Sequence, residues 1–331
     1  VRGRLRDLLA YAGLRAVETL LLAAPPEASE AAARAVGRAW FALDRTRRRT
    51  ALDNVALAFP SLGPEARHRL ARASFEHAFL VAVEVVRRPR AVARARHARR
   101  LGRHLGDQDA MRRDVRAGRG GIVLGAHVGN WELAGAVVRL EGLDFSSVAR
   151  PIENPWVDAY VARTRGGPDA VITKRGAARA ISRALREDRW VGVLADQNAG
   201  RHGLFVPFFG VPASTYPLAA TLAVRHRVPV YFGAAIRRGP GFRYDYLLRR
   251  HEVDPDADER EEASRALAAF HAWLEETIRG APEQYLWLHR RWKTRPLGEA
   301  REGLPRYVVR RAPRPARGVA AGGLPETAPP S

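Results

Sequence analysis

From residue 120 onward, short apolar runs alternate with stretches of helical periodicity, and no other feature constrains the fold as much. The runs are "GIVLGA", "FSSVA", "AVIT", "WVGVLA" and "VPVYFGAAI"; between them lie "WELAGAVVRL", "PWVDAYVARTR", "AARAISRALRED" and "YPLAATLAVR". Strands separated by single helices pair in parallel, because a return to the same edge of a sheet needs a crossover about as long as a helix. The expected class is therefore α/β, a mostly parallel mixed sheet flanked by helices. "FRYDYLLRR" is a candidate antiparallel addition, and a long helix is expected at about 259 to 279.

Residues 1–105 read instead as a helical N-terminal region, broken at Pro25, Pro26, Pro60 and Pro89. This region and the α/β core at 106–297 are expected to form one domain. Residues 298–331 turn to Pro, Gly, Ala and Arg without periodicity, which predicts a disordered tail. The segment 203–224, "GLFVPFFGVPASTYPLAATLAV", carries no charge, yet Pro207, Pro212 and Pro217 with Gly210 exclude a continuous helix. It predicts an apolar loop leading into a helix, serving either as core or as the wall of a groove for a greasy substrate.

Cysteine is absent, so disulfides, thiolate metal sites and a cysteine nucleophile are excluded. The formal charge is +21, and of 56 basic residues only Lys174 and Lys293 are lysine. Such a charge favours anionic partners: a phospholipid surface, nucleic acid or an acidic carrier protein. The densest cluster, "RRPRAVARARHARR" at 87 to 100, has no interleaved aromatic residues, and no nucleic-acid recognition motif occurs, so nucleic acid is not expected. At the N-terminus, Leu5, Leu8, Leu9, Leu14, Val17, Leu20 and Leu21 fall roughly on helical spacing, interrupted by Arg15 and Glu18. The stretch is too broken for a span of about 20 apolar residues. It reads either as an amphipathic helix lying in a membrane interface or as an ordinary first helix packed on the domain.

Ligands of open parallel sheets gather beyond the carboxyl ends of the strands. There the successive runs deliver His127; Arg150 with Asn154 shortly after; Lys174; and Asp196 with Gln197. After His127 a short turn leads to Asn130, a candidate N-cap that puts Trp131 and Glu132 in a first helical turn. A carboxylate close to an imidazole fixes its tautomer and raises its basicity, which suits a general base. The same pair also reads as a capping glutamate beside a structural histidine. Asp196 and Gln197 likewise read either as site residues or as a brace behind the site.

No G-x-S-x-G elbow, H-E-x-x-H or P-loop occurs, and "GRGGIVLG" does not fit G-x-G-x-x-G. No metal and no cofactor are expected. What remains is direct attack of a substrate hydroxyl on an activated acyl group. In that reading His127 takes the proton, Glu132 steadies the imidazolium, and Arg150 or a backbone N–H meets the oxyanion. Asn130, Arg150, Asn154, Lys174, Asp196 and Gln197 are the candidate substrate-binding residues.

"HVGNWE" resembles the H-x4-D/E motif of the glycerolipid and lysophospholipid acyltransferase superfamily, and more closely its bacterial lipid A biosynthesis branch of lauroyl and myristoyl transferases. "NVALAFP" at 54 to 60, "ARPIENP" at 149 to 155, "ADQNAGRHGLFVPFFGVPAST" at 195 to 215 and "YLWLHRRWKTRP" at 285 to 296 follow in the expected order. The resemblance implies an acyl-carrier-protein thioester as donor, a glycolipid acceptor, and work at the cytoplasmic face of the bacterial inner membrane, peripheral or N-terminally anchored. It maps His127 and Glu132 to the base and its partner. A phosphatidylinositol mannoside or a lysophospholipid is the alternative acceptor.

Overall fold

Four helices open the chain in the computed structural model, which describes residues 2–94, 102–140, 142–241, 243–299 and 303–309. They are α1 (Arg2–Ala23), α2 (Pro26–Leu43), α3 (Arg45–Ala58) and α4 (Pro64–Arg94). Pro26 opens α2 at a position where its missing N–H costs no hydrogen bond. Asp44 ends α2 and caps α3, its carboxylate accepting the Arg47 N–H at 2.9 Å. The break expected at Pro89 does not occur; α4 continues through it. Residues 95–100 of the arginine cluster lie outside the described residues. Arg87, at its start, donates to Leu21 O, Ala24 O and Ser29 Oγ and so lashes α4 to α1 and α2.

The α/β core follows as β1 (Gly102–Gly106), α5 (Gln108–Arg116), β2 (Gly121–Gly125), α6 (Trp131–Leu140), β3 (Phe145–Ala149), α7 (Pro155–Thr164), β4 (Val171–Thr173), α8 (Ala177–Arg186) and β5 (Trp190–Leu194). Then come β6 (Leu204–Phe208), β7 (Val211–Thr215), α9 (Leu218–His226), β8 (Val230–Arg237), β9 (Tyr244–His251), α10 (Glu259–Gly280) and α11 (Arg306–Val309). Seven strands form one sheet in the order β1-β9-β8-β2-β5-β3-β4. β8, β2, β5, β3 and β4 run parallel; β9 is antiparallel to β8, and β1 pairs parallel with β9.

β2 occupies the middle and is buried at every residue. Its alternation supplies both faces of the sheet. Ile122 and Leu124 pack into the core with Leu222 of α9 and Phe270 and Leu274 of α10. Val123 faces the other way, toward Met111, Phe145, Trp190 and Tyr231. Burying each such side chain stabilises the fold by roughly 2 kcal/mol, so the register of β2 is firmly set.

Three expectations need correction. Residues 102–105, read as part of a helical region, belong with Gly106 to the edge strand β1; its backbone pairs with β9, and Arg103 forms a two-pronged ion pair with Asp245 at 2.8 Å. The apolar segment at 203–224 begins not as a loop but as the hairpin β6–β7, in which Pro207 and Pro212 stand opposite each other. A two-stranded ribbon tolerates them because outward-facing ladder positions need no partner for an N–H. The expected tail from 298 retains structure at α11, where Val308 is buried and the Tyr307 hydroxyl donates to Asn54 Oδ1 at 2.7 Å. Residues 310–331 lie outside the described residues.

Candidate active site

β2 leads through Ala126 into a turn that is pinned from several sides. Val128 bridges Tyr285, the Gly129 N–H donates to Gln284 O at 3.0 Å, and the Asn130 N–H donates to Ala235 O at 2.8 Å. Gly129 has φ +59°, and a Cβ there would lie 2.0 Å from the Ala235 carbonyl oxygen, so only glycine fits. Asn130 caps α6 as its position suggested, accepting the Leu133 N–H at 2.8 Å, while its amide donates to Glu84 Oε2 at 2.7 Å. Glu84 in turn holds Arg237, which also pairs with Glu30. Asn130 is thus wholly buried beneath the turn rather than turned toward a ligand.

The turn presents His127 to Asp196, which follows β5. Asp196 Oδ1 lies 2.8 Å from Nδ1 of the ring, and Oδ2 accepts the His127 backbone N–H at 2.9 Å. Burial works against ionising Asp196, yet the facing imidazole, both hydrogen bonds and the charge of Arg291 hold its carboxyl down to about 2. An ionised Asp196 requires the proton on Nδ1 and leaves Nε2 as the acceptor. Nε2 faces the Gln197 amide nitrogen at 3.4 Å. Burial likewise works against the imidazolium; the charge and hydrogen bond of Asp196, with the charge of Glu132, outweigh it and raise the His127 pKa above its ordinary value.

The carboxylate on Nδ1 is therefore Asp196, the residue that the sequence left open between site and brace. Glu132, expected in that place, stands in the first turn of α6 and accepts two hydrogen bonds from Arg165 at the end of α7, from Nε at 3.0 Å and from Nη2. Its charge still reaches His127. The Trp131 ring approaches the imidazole edge-on, with centroids 5.0 Å apart.

Of the other candidates, Arg150 is exposed beyond β3. Asn154 caps α7, accepting from the Trp156 and Val157 N–H groups, and its amide donates to Asp7 O at 2.8 Å, tying α7 to α1. Lys174, beyond the edge strand β4, donates to the Tyr216 hydroxyl at 3.0 Å and lies over that ring. The site thus gathers His127, Glu132, Asp196 and Gln197, while Arg150, Asn154 and Lys174 sit on neighbouring loops.

Two contributors escaped the sequence reading. Arg165 has no local pattern linking it to Glu132, 33 residues earlier. Arg291 lies within the "HRRWK" block but is buried, donating to Ser214 O and Thr215 Oγ1, both at 2.6 Å, so its charge acts on Asp196 from inside the protein. A buried arginine next to the partly exposed Arg290 carries no mark in the sequence.

An apolar cavity of about 150 Å³ lies between the sheet and α6, with Ala126, Val128, Trp131, Glu132 and Arg165 on its wall. Val123, Val138, Leu143, Phe145 and Leu248 also line it. Gly192 makes room for that ring: a Cβ there would lie 2.3 Å from the Phe145 ring tip. The cavity runs alongside the histidine turn, and its wall is mostly apolar.

Residues 4–294 match the family model described as bacterial lipid A biosynthesis acyltransferase. The chain is 32% identical over 195 residues to the lipid A biosynthesis palmitoleoyltransferase of Escherichia coli (strain K12), covering 58% of this chain and 62% of that protein. It is 28% identical over 251 residues to the lipid A biosynthesis lauroyltransferase of the same organism, covering 74% and 78%. A lipid A biosynthesis acyltransferase of Haemophilus influenzae matches at 28% over 183 residues, or 53% and 57%. The matched region thus spans about three fifths of the length of the palmitoleoyltransferase. With the family model covering the helical region and the α/β core alike, the chain belongs to the bacterial lipid A biosynthesis acyltransferase family.

Proposed function

We propose that this chain is an O-acyltransferase moving a fatty acyl chain from the thioester of acyl carrier protein to a hydroxyl of a lipid A precursor. The observation that carries the reading is the 2.8 Å contact between His127 Nδ1 and Asp196, which leaves Nε2 to accept a proton. The acceptor hydroxyl sits at Nε2 and gives up its proton as its oxygen attacks the thioester carbonyl. Asp196 stabilises the resulting imidazolium at hydrogen-bond distance, and Glu132, held by Arg165, does so at longer range. The Gln197 amide stands beside Nε2 and is the nearest donor for charge building on the substrate oxygen. Collapse of the tetrahedral intermediate breaks the C–S bond, and the leaving thiolate takes the proton back from His127. No acyl-enzyme forms. The acyl chain lies in the cavity beneath α6.

A basic surface suits an acidic carrier protein. Among the described residues no helix is long and apolar enough to cross a membrane. However, Leu5, Leu9, Val17 and Leu20 of α1 are each more than half exposed at helical spacing, which favours docking of α1 on a lipid surface at the cytoplasmic face of the inner membrane. The test is mass spectrometry of lipid products from acyl-carrier thioesters and a panel of acceptors: a lipid A precursor, a phosphatidylinositol mannoside and lysophospholipids. One acyl chain added to the lipid A precursor, and lost in His127→Ala, is the expected result. Transfer only to another acceptor overturns the substrate, and no transfer to any acceptor overturns the chemistry.

A further inference from the structure

Beside the histidine site, a second cavity of about 500 Å³ is lined by Arg47, Thr50, Asn198, His289, Arg290 and Lys293, with no carboxylate among its described lining residues. We infer that this cavity is a subsite for a phosphate group carried by one of the two substrates; the assignment to a substrate rests on the acyltransfer reading, whereas the binding of phosphate does not.

Three observations carry it. The first is charge. Arg47 is matched by Asp44, but neither Arg290 nor Lys293 forms an ion pair among the described residues. A comparable cavity between α2, α4 and β8 shows the contrast: there Arg34 and Arg237 face Glu27, Glu30 and Glu283, so the protein neutralises its own charge. The cavity at Arg290 and Lys293 leaves that task to a ligand.

The second is position. Asn198 lies two residues beyond Asp196, and its N–H donates to His289 Nε2 at 3.1 Å. A group bound there lies at the exit of β5, which also carries Asp196, the partner of the proposed base. The third is rigidity. The Asn198 amide donates to Thr294 Oγ1 at 3.1 Å and its carbonyl oxygen accepts the Thr294 N–H at 3.2 Å. Asn54, from α3, donates to the carbonyls of Trp287 and His289, both at 2.7 Å. The walls that carry the cations are thereby fixed before any ligand arrives, which limits the ordering cost of binding.

A phosphate can reach this place from two sources, a phosphorylated headgroup on the acceptor or the phosphodiester of a phosphopantetheine arm on the donor. The experiment separates them. Binding of inorganic phosphate to the full chain is followed by phosphorus NMR for the wild type, for Arg290→Gln/Lys293→Gln, and for Arg179→Gln/Arg186→Gln on exposed positions of α8, which removes the same charge elsewhere. The first pair is expected to weaken binding by about tenfold or more per cation, the second by far less, and Arg290→Lys is expected to retain it. Equal weakening by both pairs, or by neither, overturns the site.

Kinetics then assign the source. In the Arg290→Gln/Lys293→Gln variant, KM is expected to rise about a hundredfold for one phosphate-bearing substrate, with kcat within a few-fold and no rise for its phosphate-free analogue. The analogues are a dephosphorylated acceptor and an acyl-pantetheine donor. A rise that ignores the phosphate on both substrates overturns the assignment. Localised phosphate binding without turnover on any acceptor keeps the subsite and removes the acyltransfer reading.

Discussion

Asp196 grips His127 twice, through the ring Nδ1 at 2.8 Å and through the backbone N–H at 2.9 Å. One carboxylate thus sets both the ring's tautomer and the place of its backbone, so removing its charge disturbs chemistry and geometry together. Asp196→Asn is expected to lower kcat by about 10²- to 10⁴-fold, with a smaller effect on KM. A loss below about threefold in kcat, read from steady-state kinetics, would falsify the role of the dyad.

The same pair fixes a pH dependence. His127 acts as a base only when neutral, and its pKa is raised above the usual 6.5. Activity is therefore expected to climb with pH through that raised value. Stability runs the opposite way: a raised folded pKa contributes fully below 6.5 and is lost as pH rises through the raised value. Asp196, lowered from 3.8 to about 2, contributes above 3.8 and is lost as pH falls toward about 2. In Asp196→Asn the rising limb of the kcat/KM profile should move to lower pH, on a lower plateau. A limb that stays in place would show that another group titrates.

Arg165 tests whether Glu132 works from a fixed posture. Arg165→Ala takes away two hydrogen bonds from a half-buried carboxylate. The expected cost is about tenfold or more in kcat/KM, with the double variant Arg165→Ala/Glu132→Ala no worse than Glu132→Ala alone. Additive losses in the double-mutant cycle would mean that the two act independently.

The Phe145 ring lines the apolar cavity, its tip in the space that Gly192 leaves. Phe145→Ala is expected to lengthen the preferred acyl chain, and Gly135→Leu, on the α6 wall of the same cavity, to shorten it. Each added or removed methylene is worth about 0.8 kcal/mol, a few-fold in preference per carbon. Product masses from mixed-length donors read this directly; an unchanged length distribution in both variants would place the acyl chain elsewhere.

Exposed leucines on α1 make membrane contact measurable. Leu5→Ser/Leu9→Ser/Leu20→Ser is expected to weaken binding to anionic phospholipid vesicles by at least about tenfold, while turnover on a detergent-dispersed acceptor stays within a few-fold. Vesicle co-sedimentation unaffected by the three substitutions would leave α1 as an ordinary packing helix.

The core strands were legible in the sequence because each is a continuous apolar run bounded by turn residues, as a strand covered on both faces must be. "GRHLG" was not, since an edge strand can carry Arg103 and His104 where a central strand cannot. The hairpin hid behind Pro207 and Pro212, which look like strand breakers until they are seen opposite each other in a two-stranded ribbon separate from the main sheet. Within the candidate site, spacing put His127 and Asp196 at one edge of the sheet, where the structure also has them, but it favoured Glu132 as the ring's partner because five residues are easier to read than 69. Which carboxylate meets the ring is decided by the adjacency of β2 and β5, a property of the sheet order rather than of local sequence. Val308 and Tyr307 were lost in a Pro- and Arg-rich stretch that betrays no periodicity over so short a helix.

The turn that carries His127 hangs from Ala235, Gln284 and Tyr285, and the charge opposite Asp196 comes from Arg291. A ribosome delivers these fastenings more than a hundred residues after the histidine itself. A nascent chain that has emerged only as far as Asp196 holds the proposed base and its carboxylate partner but not the scaffold that aims them. Under the proposed acyltransfer, competence therefore arrives late and all at once, so a half-made chain has little capacity to squander thioesters on water.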